Sequence, residues 1–79
     1  MPMNGDFTAI RDRALRLLAE NPHGCIGAMM VAHGFSIELL NQVIRDGLAT
    51  ARTERAIRGD KSIEMVRLKI TDAGRRVLG

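Results

Sequence analysis

At Gly47 the spacing of apolar residues along this 79-residue chain changes from the period of a helix to that of a strand. Before it, Leu40, Val43 and Ile44 recur three and four apart. After it, Ala49, Ala51 and Thr53 fall on alternate positions, as do Val66, Leu68 and Ile70. A chain carrying both periods has to pack helices against a sheet, so the fold class is α+β. At this length only about 62% of the unfolded surface can be buried, enough for one core. Residues 1–79 are therefore read as a single domain.

The helical half divides at its glycines and at one proline. Phe7, Ile10, Ala14, Leu17 and Leu18 share one face of a first helix, 6–21, with Asp6 as its N-cap and Asn21-Pro22 as its stop. Ile26, Met29 and Met30 mark a short second helix, 25–33. Gly34 makes a tight turn, and Ser36 caps a third helix, 36–46, which ends at Gly47 with Leu48 packed behind it. In the strand half, Gly59-Asp60 is a hairpin turn within residues 48–70. Pairing around it sets Ala49 opposite Ile70, Ala51 opposite Leu68 and Thr53 opposite Val66 as a core face. The other face pairs Thr50 with Lys69 and Arg52 with Arg67. Thr71-Asp72 opens a short last helix, 71–78, with Arg75 and Arg76 near its C-terminal end.

Charge is divided between the halves. Residues 1–40 hold three basic and four acidic side chains, whereas residues 41–79 hold nine basic and five acidic. The excess is concentrated in the hairpin, where a basic segment attracts polyanions. Cys25 is the lone cysteine, so no internal disulfide forms, and a reducing, cytoplasmic location is expected. The apolar run from Ala28 to Ala32 is far shorter than a membrane span, so no membrane partner is expected. His23, Cys25 and His33 have no recognised metal spacing and Cys25 lacks an orienting group for catalysis, so neither a metal, a cofactor nor an enzyme is expected.

Several segments carry a family resemblance: Ala32-His33-Gly34-Phe35-Ser36 at the turn, Leu40, Val43 and Ile44 at core spacing, Arg45-Asp46-Gly47-Leu48-Ala49, and Leu68-Lys69-Ile70-Thr71-Asp72-Ala73-Gly74-Arg75. In that order they resemble the winged helix-turn-helix of small MarR-like and PadR-like bacterial regulators. The resemblance implies a three-helix unit, a two-stranded β-hairpin wing and a short C-terminal helix. It also implies binding of double-stranded DNA in transcription regulation, with the third helix in the major groove and the wing on phosphates. Winged helices also serve as protein-binding modules, so a protein partner without nucleic-acid binding is the alternative.

On a helical wheel, Ile37, Leu40, Val43, Ile44 and Gly47 lie inward. Glu38, Asn41, Gln42 and Arg45 lie outward, with Leu39 and Asp46 at the margin. Asn41, Gln42 and Arg45 can read base edges, although Glu38 and Asp46 leave this face net negative. Ser36, Arg52, Arg58, Lys61, Arg67 and Lys69 form the phosphate-holding set. Arg52 and Arg67, directly opposite, should repel one another unless an anion bridges them. One helix and one wing cover little of an operator, so a specific regulator of this kind is expected to be a homodimer, joined through its first and last helices.

Overall fold

A computed structural model describes residues 3–79, with side chains from residue 7 onward. It is an α+β fold in which four helices pack against a three-stranded antiparallel sheet. Helix α1 (Met3–Ala19) starts before the expected residue 6, so Asp6 lies within the helix and not at its cap; the Asp6 side chain is outside the described residues. The helix stops two residues before Asn21, whose side-chain amide donates to the Leu17 carbonyl at 2.7 Å and closes the last turn ahead of Pro22. Its buried stripe is Ala14, Leu15 and Leu18, while Phe7 and Ile10 are exposed. The expected face is thus turned by a residue, onto Leu15.

Cys25 and Ile26 do not open the expected second helix. They form strand β1 (Cys25–Ile26), which pairs with the second hairpin strand through Cys25↔Leu68 and Ile26↔Arg67. Gly24 makes this junction possible: its φ is +94°, and a Cβ there would sit 2.7 Å from the Leu68 carbonyl oxygen. Helix α2 shortens accordingly to Gly27–Ala32, and Met30 is its fully buried residue.

Helix α3 (Ile37–Arg45) has the expected cap, with the Ser36 hydroxyl oxygen accepting from the Leu39 N–H at 3.1 Å. At its end, the N–H groups of Gly47 and Leu48 donate back to the carbonyls of Ile44 and Val43, and Leu48 is buried against the core. The helix is rotated relative to the sequence expectation. Leu39, Leu40 and Val43 are buried, whereas Ile37 is 65% exposed and Ile44 only partly covered.

Strands β2 (Ala49–Arg58) and β3 (Lys61–Ile70) pair in the expected register from Ala49↔Ile70 to Arg58↔Lys61, and Gly59 supplies the positive φ of the turn. The sheet order is β1-β3-β2. Helix α4 (Asp72–Leu78) is capped by Thr71, whose hydroxyl accepts from the Gly74 N–H and donates to the Gly47 carbonyl. That one side chain ties the end of α3 to the start of α4.

The core gathers Leu15 and Leu18 of α1, Met30 of α2, Val43 of α3 and Leu68 of β3, the largest side chains fully removed from water. Only the base of the hairpin joins it. Ala49 and Leu68 are buried, but Ala51, expected in the core opposite Leu68, is exposed, as are Thr53 and Val66, so the expected core face ends at Leu68. Beyond that rung the hairpin leaves the body as a free arm, which accounts for overall dimensions of 50 × 26 × 20 Å.

Candidate nucleic-acid interface

Strand alternation divides the hairpin into two faces. The inner face meets the helices through Leu68; the outer face carries Thr50/Lys69, Arg52/Arg67, Glu54/Met65, Ala56/Ile63 and Arg58/Lys61 as opposite pairs. At the base of the outer face is an open hollow of about 360 Å³, lined by Thr50, Ala51, Arg52, Glu54, Arg67 and Lys69. Three cations thus face one carboxylate. Among the described residues Arg52, Lys69 and, at the arm's tip, Arg58 and Lys61 have neither an ion pair nor a side-chain hydrogen bond. All four are exposed. Their donors are free for an anion, and they run from the base of the arm to its tip.

Arg67 behaves differently from its expected role. It does not stand unpartnered against Arg52: its Nε donates to Glu54 Oε1 at 2.9 Å, and a second, longer contact reaches the His23 carbonyl at 3.5 Å. Glu54 lies on the diagonal, two residues along β2 from Arg52, outside the directly opposite pairs on which the expected repulsion rests. Diagonal neighbours are within reach of long side chains, so that rule contained the missing signal. The Glu54 carboxylate relieves the arginine repulsion and fixes Arg67 as part of the floor, leaving Arg52 and Lys69 as the free cations beside it.

The three base-reading candidates on α3 do not share a surface. Asn41 lines a second open hollow, of about 370 Å³, with Ile26, Val31, Ile37, Ile44 and Val66 among its walls. Gln42 is on the opposite flank, beside Phe7 and Ile10 of α1, and its Nε2 donates to Asp46 Oδ1 at 3.0 Å. Arg45 is exposed at the C-terminal end of the helix. Ser36 is exposed, with its hydroxyl oxygen used by the cap. Because α3 packs on the sheet's inner side through Leu40 and Leu68, Asn41 looks toward the inner face of the arm, whereas Arg52 and Lys69 point away from it. The helix and the basic strip are therefore not two halves of one surface at the base of the arm.

The apolar hollow was not foreseen, since the wheel placed Ile37 and Ile44 inside. His23 and His33 are exposed. Cys25 is buried in β1, and burial pushes its thiol above the ordinary range, with the nearby Arg67 charge pulling weakly the other way. Among the described residues no helix is long and apolar enough to cross a membrane. No family model, curated protein or solved structure matches the chain.

Proposed function

We propose that this chain is a small winged-helix DNA-binding protein, acting in transcription regulation, that grips the phosphate backbone of duplex DNA with the outer face and tip of its hairpin. The observation that carries this reading is the strip of four unpartnered cations, Arg52, Lys69, Arg58 and Lys61, set around an Arg67 already held by Glu54. Phosphate contacts supply most of the affinity in such a complex and little of its sequence preference. Base reading falls to Arg45, because Asn41 lines the hollow on the other side of the sheet and Gln42 is turned to α1 and tied to Asp46. This is a binding role, with no catalytic step assigned to any residue. The test is a titration of the labelled protein with a duplex at low salt, following backbone amides by NMR. Shifts concentrated at Thr50–Arg52, Arg58–Lys61 and Lys69 support the reading; an unchanged spectrum removes it.

The protein-binding alternative is favoured by a different observation, the apolar hollow between α2, α3 and β3. It is compatible with DNA binding, since it opens on the other side of the sheet.

A further inference from the structure

The edge of β3 that faces β1 is paired only at its base. Strand β1 meets it at Leu68 and Arg67, and at Gly27 the chain turns away into α2, where a Cβ would still stand 3.6 Å from the Val66 carbonyl oxygen. Beside Lys61–Met65 no strand lies on that side among the described residues. Arg58 and Lys61 flank a two-residue turn that opens with the positive φ of Gly59, so they exchange hydrogen bonds, and the alternate pairs Ala56↔Ile63 and Glu54↔Met65 do the same. Ser62 and Glu64, between them, therefore turn their N–H and C=O groups to the open edge. Leu68 shares that phase, and its carbonyl oxygen indeed faces β1, where a Cβ on Gly24 would strike it.

Apolar side chains stand on both faces beside this open backbone. On the inner face the hollow leaves Val31 and Val66 each 44% exposed and Ile37 65% exposed. Met65 also lines it, although its side chain belongs to the outer face, so the hollow reaches round to the edge of the strand. On the outer face are half-buried Met65 and Ile63, which is 44% exposed. Main-chain donors and acceptors flanked by apolar groups above and below call for an extended chain, because a helix has no free main-chain groups along its side.

We propose that this edge accepts an extended segment of a partner protein as a further strand, antiparallel to β3 and in line with β1. The residue opposite Glu64 exchanges both hydrogen bonds with it and sends its side chain into the hollow, diagonal to Val66. The residues opposite Met65 and Ile63 cover those two side chains on the outer face, so all three are apolar. Charge fixes the far end. Glu64 is already neutralised by Arg55, Nη2 to Oε2 at 3.2 Å, whereas Lys61 is exposed and without an ion pair among the described residues. The residue opposite Lys61 is therefore acidic. This names the partner that the hollow takes and does not depend on DNA binding, since Arg52 and Lys69 are on the outer face at the base of the arm, away from this edge.

The experiment titrates the full chain by NMR with the acetylated, amidated pentapeptide Val-Leu-Val-Thr-Glu, whose leucine falls opposite Glu64 and whose glutamate falls opposite Lys61. Two further probes carry a single N-methyl group. On the leucine it blocks the bond to the Glu64 carbonyl; on the middle valine it points away from β3. Amide shifts at Ser62, Glu64 and Val31 support the proposal when the leucine methyl weakens binding about tenfold and the valine methyl leaves it unchanged. Ile37→Asp, checked for native circular dichroism, should weaken the parent probe roughly tenfold, and a probe ending in lysine should bind roughly fivefold less well. Absence of shifts along this edge at millimolar peptide overturns the proposal. Equal sensitivity to the two methyl groups also overturns it, because the peptide is then held by its side chains alone; that comparison uses the unaltered protein and stands even where Ile37→Asp does not fold.

Discussion

Replacing Arg67 by alanine distinguishes a repelled arginine from an anchored one. Removal of a repelled arginine leaves the free protein as stable as before or slightly more so. The structure gives the opposite sign. Arg67 Nε is 2.9 Å from Glu54 Oε1, with the two side chains 29% and 35% exposed, so the pair is screened but not fully solvated. Pairs of this kind are worth roughly 0.2–1 kcal/mol. The aliphatic stem of Arg67 also packs over Gly24, where a hypothetical Cβ would be only 2.8 Å from Arg67 Cγ. Together these put the loss in Arg67→Ala at about 1 kcal/mol, or roughly 4–8 °C in melting temperature for a domain of this size. Thermal or urea unfolding measures it. A cycle with Glu54→Ala should return a coupling of about 0.5 kcal/mol that shrinks as salt is added. An Arg67→Ala variant as stable as the parent, or a coupling of zero, would show that Glu54 does not hold this side chain.

Gly74→Ala should destabilise by about 1–3 kcal/mol, because a Cβ at Gly74 runs into the Leu48 carbonyl and Ile70, both fixed by the junction with α4; a melting temperature equal to the parent's would contradict that packing. Native Cys25 should react slowly with a thiol reagent at pH 8 and quickly once unfolded, since burial raises its pKa; rapid labelling of the folded protein would show that the thiol is accessible. The same shift has a stability consequence of definite sign. The unfolded thiol ionises near 9.0 and the buried one only above that, so its contribution is intact below pH 9 and is lost as pH rises through the native value. A rise in stability across that range in the parent, relative to Cys25→Ser, would be the wrong sign.

The register of the hairpin was legible in the sequence, but the ends of its strands and the helices only in outline, for reasons that differ by element. A two-residue turn at Gly59-Asp60 permits one register in which Ala51 meets Leu68, and any slip by one residue would reverse every side chain. Ser36 and Thr71 cap through local chemistry that the neighbouring residues alone decide. The phase of α3 is not local. Whether Ile37 or Leu39 turns inward depends on what lies across from it, and α1 placed beside Ser36, Leu39 and Gln42 draws Leu39 in and leaves Ile37 out. Cys25-Ile26 is too short to show a period at all; it is a strand because β3 offers an unpaired edge at Leu68 and Arg67. In the site, the cationic strip could be read from alternation, but the Glu54 partner of Arg67 and the separation of Asn41 from Gln42 depend on diagonal reach and helix rotation.

If the outer face of the hairpin holds DNA by its phosphates, the salt dependence of binding reads that contact out. With roughly three to five phosphate contacts, a plot of log affinity against log salt for the parent should have a slope of about −3 to −5, similar for unrelated duplexes. Arg52→Ala/Lys69→Ala removes two free cations that support nothing in the fold, so it should melt with the parent and flatten the slope by about 1.8. A double variant that binds duplex DNA with the parent's affinity and slope would show that Arg52 and Lys69 do not hold the phosphates.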